Sequence, residues 1–433
     1  MQKGSTKDKK ISEDSKLIHL LFPAMIASFA FDRLRISPEV NLSLQRVLYI
    51  AIFVIMMILL LAKRRLRFPV SSPTLFLPLI FNGILVFSLP FALDFSISVA
   101  AVWSLIQLSF TGIGVGLFLY NFCNARDLIP LSKTLCWVTI LSSLTIITDY
   151  FGLTSFYKWY IPDWALPREM GILGEPNFAA GKLAIGLPFL LWALIESTGE
   201  KISRFVYAIG LGLVTFALLL TGSRMGIFMY ALLILLIILN KPSKIIRPRA
   251  ILGGTLLIVA LIFLLRGPLN EVVEHLISRM NPLWEFLVTG QELQEMSAWK
   301  RLRALEVGML IFRDYPLFGI GMGGYRIIAG DYELLLTGSY AHNTYLEVLT
   351  GTGLMGFISF TALLIYISKR LRELSRFPEI KRLYFYLNLS FLMLLVHLFF
   401  LSDWPNRYLW GLYLPLSIGL SRLNIHRVGR QGV

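Results

Sequence analysis

The feature that most constrains this chain is a recurrence of apolar runs close to 20 residues long, the length an α-helix needs to cross about 30 Å of hydrocarbon. They fall at 17–31, 46–62, 74–93, 97–120, 132–150, 178–196, 205–221, 225–240, 250–266, 343–367, 384–401 and 407–421. Composition agrees: of 433 residues 56% are hydrophobic and only 15% charged, with a mean hydropathy of +0.68, too apolar for an ordinary soluble domain. The expected fold is all-α, a polytopic integral membrane protein with about twelve transmembrane helices. The first run contains His19 and Pro23 and is followed by no small-residue cleavage site, so it reads as a span and not as a signal peptide.

A formal charge of +15 raises the question of nucleic acid, but its placement answers otherwise. Lys and Arg collect in alternate connections: Lys3 to Lys16, Lys63 to Arg67, Arg126 with Lys133, Lys201 with Arg204, Lys241 to Arg249, Lys369 to Arg382, and the C-terminal tail. With twelve spans those segments share one side, which carries 26 of the 41 Lys and Arg. The positive-inside rule makes that side the cytoplasm, with both termini in it and the long connection on the far face. No nucleic-acid partner is expected; membrane lipids are. The chain divides into residues 1–266 with spans one to nine, a large helical loop over 267–341, and residues 342–433 with spans ten to twelve and a cytoplasmic tail.

Cys123 and Cys136 both fall near the cytoplasmic face, where no disulfide is implied. The five histidines are scattered without metal-ligand spacing, so neither a metal nor another cofactor is expected. Gly112, Gly114 and Gly116 in the fourth run read as a close helix contact.

Polar chemistry concentrates on the far face. Before span six, Pro167-Arg168-Glu169 precedes Gly171-Ile172-Leu173-Gly174-Glu175-Pro176-Asn177, which fits either a re-entrant turn capping the span or a ligand-binding loop. Lys182, one turn further, requires a partner or a route to the interface. Spans seven and eight are joined by only Thr221-Gly222-Ser223-Arg224, whose planar, permanently charged guanidinium suits bidentate phosphate recognition.

The long loop carries two helical patterns, Leu269 to Met280 after Pro268 and Leu302, Leu305, Met309 and Phe312 after Trp299. Such helices lie on the membrane or roof a cavity. Arg301 stands about 60° from the centre of the second apolar face and Arg303 about 140°, so Arg301 is expected to point inward. The glycine-rich stretch Tyr315 to Gly324 lacks the preceding strand a dinucleotide fingerprint requires and reads as a tight turn returning the chain to the bilayer. His342 then opens span ten beside Asn343, with Glu347 one turn on and Gly351, Gly353 and Gly356 as packing positions. An imidazole partly desolvated beside arginines favours its neutral, proton-accepting form.

In their order and spacing, Gly171 to Asn177, Thr221 to Arg224, Arg301 before Pro316-Leu317-Phe318-Gly319-Ile320-Gly321, and His342-Asn343-Thr344-Tyr345-Leu346 with Gly353 to Gly356 resemble the O-antigen ligase and polymerase superfamily, over about residues 165 to 365. That resemblance implies a GT-C-like, metal-independent glycosyltransferase of the bacterial inner membrane, working on the periplasmic side. The donor would be a glycan on undecaprenyl diphosphate. For a ligase, the preferred reading, the acceptor would be a sugar hydroxyl of lipid A core oligosaccharide; for a polymerase, another carrier-linked repeat; for a protein oligosaccharyltransferase, a protein. Carried over, Arg224 and Arg301 would hold the diphosphate and His342 would take the acceptor proton. Arg168, Glu175, Asn177, Arg303 and Asn343 are candidate substrate contacts. A lipid-linked glycan flippase would also have twelve spans, but no internal repeat with paired broken helices appears, and the polar residues crowd one face. His397, inside span eleven, is the best hint of a pathway.

Overall fold

The computed structural model describes residues 20–31, 44–62, 67–69, 73–155, 171–197, 199–240 and 296–421, with isolated positions between 274 and 288. Among the described residues the regular structure is helical and contains no strand. After a short helix at 20–31 come α1 (Leu44–Ala62), α2 (Pro73–Phe87), α3 (Phe95–Phe122), α4 (Leu128–Tyr150), α5 (Pro176–Glu196), α6 (Lys201–Leu220) and α7 (Arg224–Leu239). Then follow α8 (Met296–Asp314), α9 (Tyr325–Tyr332), α10 (Thr344–Glu373), α11 (Lys381–Phe400) and α12 (Leu414–Gly419), the last continuing a π turn at Leu409–Tyr413.

Seven helices among the described residues are long and apolar enough to cross a membrane, and three shorter apolar helices accompany them. Eleven of the twelve expected spans coincide with these helices or with the segment at 20–31, while the ninth, 250–266, lies outside the described residues. So does the first loop pattern, apart from Glu274 and Ile277. The outward surface fits a bilayer. Along α1, Val47, Leu48, Ile50, Val54, Ile55, Ile58 and Leu61 are exposed, as on the lipid-facing side of a membrane helix.

Small residues set the closest crossings. A side chain added at Gly112 would meet the Trp410 carbonyl, and one at Gly116 would lie 2.8 Å from Ile418, so α3 and the α12 segment touch at backbone range. Gly114 faces Phe53 of α1 in the same way.

The helix ends sort into two sets. At one, Asn121 exchanges hydrogen bonds of 3.1 Å each with the Arg67 backbone, and Arg382 lies 3.5 Å from Glu196. At the other, Ser223 bonds Asn177, Leu93 N–H bonds the Ile320 carbonyl, and Thr344 bonds Leu401. Every described candidate residue belongs to the second end.

Span ten departs from expectation. Gly353 has φ 64° and ψ −164°, which breaks α10 after its first turns. The backbone groups freed there are taken by the segment after α8: Ile320 N–H donates to the Thr350 carbonyl at 2.9 Å, and Leu354 N–H donates to the Pro316 carbonyl at 2.8 Å. Gly319, Gly321 and Gly323 have positive φ, as a tight turn requires, yet the turn also fills the break in the helix. Gly353 is thus a conformational necessity and not only a packing position, because polar backbone in a membrane helix must find a partner.

Candidate active site

Two groups of candidates emerge at the second end. The first begins at Asn177, in the opening turn of α5. Its Nδ2 donates to Glu175 Oε1 at 2.8 Å, and its Oδ1 accepts from Ser223 Oγ at 3.0 Å. Ser223 caps α7, accepting from Gly226 N–H at 3.3 Å, and Arg224 is the first residue of that helix. The loop before α5 and the turn before α7 are therefore bound to one another, and Glu175, Asn177 and Arg224 form one patch. The half-buried Arg224 follows a buried Ser223. Arg168 lies outside the described residues.

The second group joins α8 to α10. Ala304, Val307, Gly308 and Ile311 form the buried stripe of α8, with Gly308 against Leu346 of α10 and the Ala304 carbonyl accepting from Tyr325 Oη of α9 at 3.0 Å. This corrects the expected facing, since Leu302, Leu305 and Met309 are exposed. The two stripes compete for the core, and the smaller residues win because they admit α10 at close range. Arg301 falls between the stripes and is half-buried, whereas Arg303 is exposed and paired with Glu306 and with Glu333, the latter at 3.0 Å. Arg301 is the more enclosed of the two arginines, for a different physical reason than the expected facing.

His342, half-buried, lies within the electrostatic field of Arg301 and Lys300. Burial first, and then the charges of Arg301 and Lys300, push its imidazole down to about 4, so near neutral pH it is an uncharged proton acceptor. Lys300 was not a sequence candidate. Asn343 is buried and caps α10, its Oδ1 accepting from Leu346 N–H at 3.0 Å, so its side chain serves the helix. Glu347 is buried as well, and its Oε1 accepts from Ala341 N–H and from Ser402 Oγ, each at 3.0 Å.

A third set adds Asp403, which the sequence did not single out, to Lys182 and His397. Asp403 sits in the loop after α11, where Asn406 also bonds it, and its Oδ2 lies 2.8 Å from His397 Nε2. Burial raises its carboxyl, but bonding and charge from His397, the Lys182 charge and the Asn406 bond outweigh that and hold it below the usual carboxylate range. Lys182 itself donates to the Leu173 carbonyl at 3.3 Å. His397 Nδ1 is packed against Gly181 without a hydrogen-bond partner among the described residues, so Asp403 is the ring's one polar partner there. His397 is therefore locked in a pair. The only sequence signal for Asp403 was an acid directly beyond an apolar span, and its partner stands six residues earlier on that span.

These sets are stitched together. Thr344 Oγ1 donates to the Leu401 carbonyl at 2.6 Å and accepts from Asp403 N–H at 2.8 Å, while Phe228 of α7 packs on Phe400 at 5.6 Å. α7, which begins at Arg224, and α10, which begins two residues after His342, thus converge on the end of α11. Among the described residues no group of three or more His, Cys, Asp and Glu side chains is placed to hold a metal ion. The arrangement offers two arginines and an uncharged imidazole at one end of a helical bundle, the elements needed to hold an anion and accept a proton.

Comparison with known proteins agrees with the sequence resemblance. Residues 209–361, about a third of the chain, match the family described as O-antigen ligase, a stretch that includes Arg224, Arg301 and His342. No curated protein matches the chain.

Proposed function

Proceeding from that family match, which supports the O-antigen ligase superfamily and an O-antigen-processing function in general, we propose that this is a ligase of the bacterial inner membrane. It transfers O-antigen glycan from undecaprenyl diphosphate to a sugar hydroxyl of lipid A core oligosaccharide, on the periplasmic face. Arg224 and Arg301 hold the diphosphate. His342 removes the acceptor proton as the hydroxyl oxygen attacks the anomeric carbon, and the sugar–phosphate bond breaks to leave undecaprenyl diphosphate. The leaving group gains negative charge in the transition state, and fixed guanidinium groups meet it without a divalent ion. Glu175 and Asn177, bonded to the α7 cap through Ser223, contact the donor beside Arg224, and Arg303 is a further substrate contact.

The observation that carries this reading is the half-buried His342 held at positive φ where span ten begins, within the field of Arg301 and Lys300, which favours its uncharged form. A diphosphate held by Arg301 offsets part of the positive field on His342, so donor binding makes the imidazole more basic when a base is needed. Because donor and acceptor are both lipid-anchored, they reach an end-of-bundle site by lateral diffusion.

The test is reconstitution of the purified protein in vesicles with an undecaprenyl-diphosphate glycan and, in separate reactions, core lipopolysaccharide, a second carrier-linked repeat and a protein acceptor. Glycan on the core sugar is expected. Elongated carrier-linked product would make the protein a polymerase, and donor movement across the bilayer without transfer would make it a flippase.

A further inference from the structure

His342 is the one non-glycine among the described residues with positive φ, 52°. An L-residue persists there only where its surroundings over-determine it. A helix cap fixes the helix start, and Asn343 provides one, but a cap does not reach the residues before it. Here the constraint extends backward. The side chain of Glu347, in the fourth position of α10, reaches past the cap to Ala341 N–H on the far side of His342, while its own N–H donates to the Asn343 carbonyl at 3.0 Å. The same Oε1 takes the Ser402 hydroxyl, anchoring the carboxylate to the loop after α11. Both neighbours of His342 are thus tied to the first turn of α10, and that turn is tied to 401–403.

We propose that Glu347 is a positioning residue: by clamping Ala341 N–H and the Ser402 hydroxyl, it holds His342 in its left-handed turn and presents the imidazole to Arg301. This rests on the reading of His342 as the general base. Glu347 is 1% exposed, too enclosed to meet a substrate itself. Its task is acceptance of two hydrogen bonds, which a carboxamide oxygen also performs, so Glu347→Gln retains the clamp and Glu347→Ala removes it.

The experiment uses the full-length protein in vesicles and follows two readouts. One is the rate of His342 modification by diethyl pyrocarbonate between pH 4 and 8, mapped by mass spectrometry; this reagent reports the exposed, uncharged imidazole without requiring activity. The other is transfer from an undecaprenyl-diphosphate glycan to core lipopolysaccharide. The parent and Glu347→Gln should agree in both, with the modification midpoint near 4 that burial, Arg301 and Lys300 together impose. Glu347→Ala should react faster, with its midpoint moved toward the ordinary 6.5, and should lose roughly 10²-fold in kcat with donor KM little changed, as expected for a misplaced catalytic group. Parent-like behaviour of Glu347→Ala would overturn the proposal. So would a loss in Glu347→Gln as deep as in Glu347→Ala, which would make the charge itself the essential property. Should Glu347→Ala fail to fold, Glu347→Gln carries the decision, parent-like modification and transfer sustaining the proposal and their loss overturning it. Normal transfer by His342→Ala would instead remove the base reading and leave the modification result standing.

Discussion

Gly353→Ala tests whether the break in α10 organises the site. The φ of 64° and ψ of −164° at this residue belong to a region that is essentially glycine-only, so any other residue there costs about 1–3 kcal/mol in backbone strain. A methyl group would also run into the Leu317 carbonyl and lie 2.6 Å from Phe318 N, and overpacking of that kind costs about 1–3 kcal/mol more. Relief is available only by expelling the Pro316 to Ile320 segment, which abandons the bonds to Thr350 and Leu354. Because α8 leads directly into that segment, Arg301 moves with it. The variant should be destabilised by roughly 2–6 kcal/mol on those two effects together and lose transfer by at least about tenfold at matched protein. Gly212→Ala on α6 is the control, since nothing lies within 4 Å of its added methyl, and it should be neutral or slightly stabilising. The assays are thermal unfolding in detergent and initial transfer rate. Equal behaviour of the two variants would refute the argument that a helix break couples α8 to α10.

Arg224→Lys should be nearly as damaging as Arg224→Ala, because a point charge cannot reproduce the planar fork; full transfer by the Lys variant would reduce the residue to a generic interfacial cation. In transfer assays at matched expression, Arg301→Ala should lose far more than Arg303→Ala, whose side chain is already engaged by Glu306 and Glu333, and the opposite ranking would count against the facing of α8. In the proposed role of base, His342 would act when uncharged, with activity present above its pKa and lost as pH falls through it: kcat/KM should stay flat down to about pH 5 and fall toward 4, while the acid limb of kcat should lie higher because bound diphosphate would offset the arginine field. A midpoint of 6.5 in kcat/KM would contradict the burial of His342.

Much of this architecture was legible because the bilayer imposes a length and a polarity on each span, and α1, α3, α5 and α11 lie where their apolar runs do. The turn before Arg224 was legible for a related reason: four residues between two spans leave little choice of position. Helix α8 was harder, since Leu302, Leu305 and Met309 make the more obvious apolar stripe, while Ala304, Val307, Gly308 and Ile311 make the packed one. Periodicity weighs hydrophobicity and is blind to how closely a neighbouring backbone can approach. The break at Gly353 was hidden because glycine in a membrane helix usually marks a crossing, and the segment that fills the break comes from more than thirty residues earlier. His397 read as the best hint of a pathway until the fold brought Asp403 to it.

In the proposed mechanism His342 accepts the proton while Arg224 and Arg301 hold the diphosphate. Its most direct test is purified His342→Ala beside the parent, measuring affinity for an undecaprenyl-diphosphate glycan and single-turnover transfer to core lipopolysaccharide. General base catalysis contributes about 10²- to 10⁴-fold, so transfer should fall by that factor while carrier affinity remains near the parent's. Near-normal transfer would contradict the claim, and lost carrier binding in a folded variant would recast His342 as a ligand of the diphosphate.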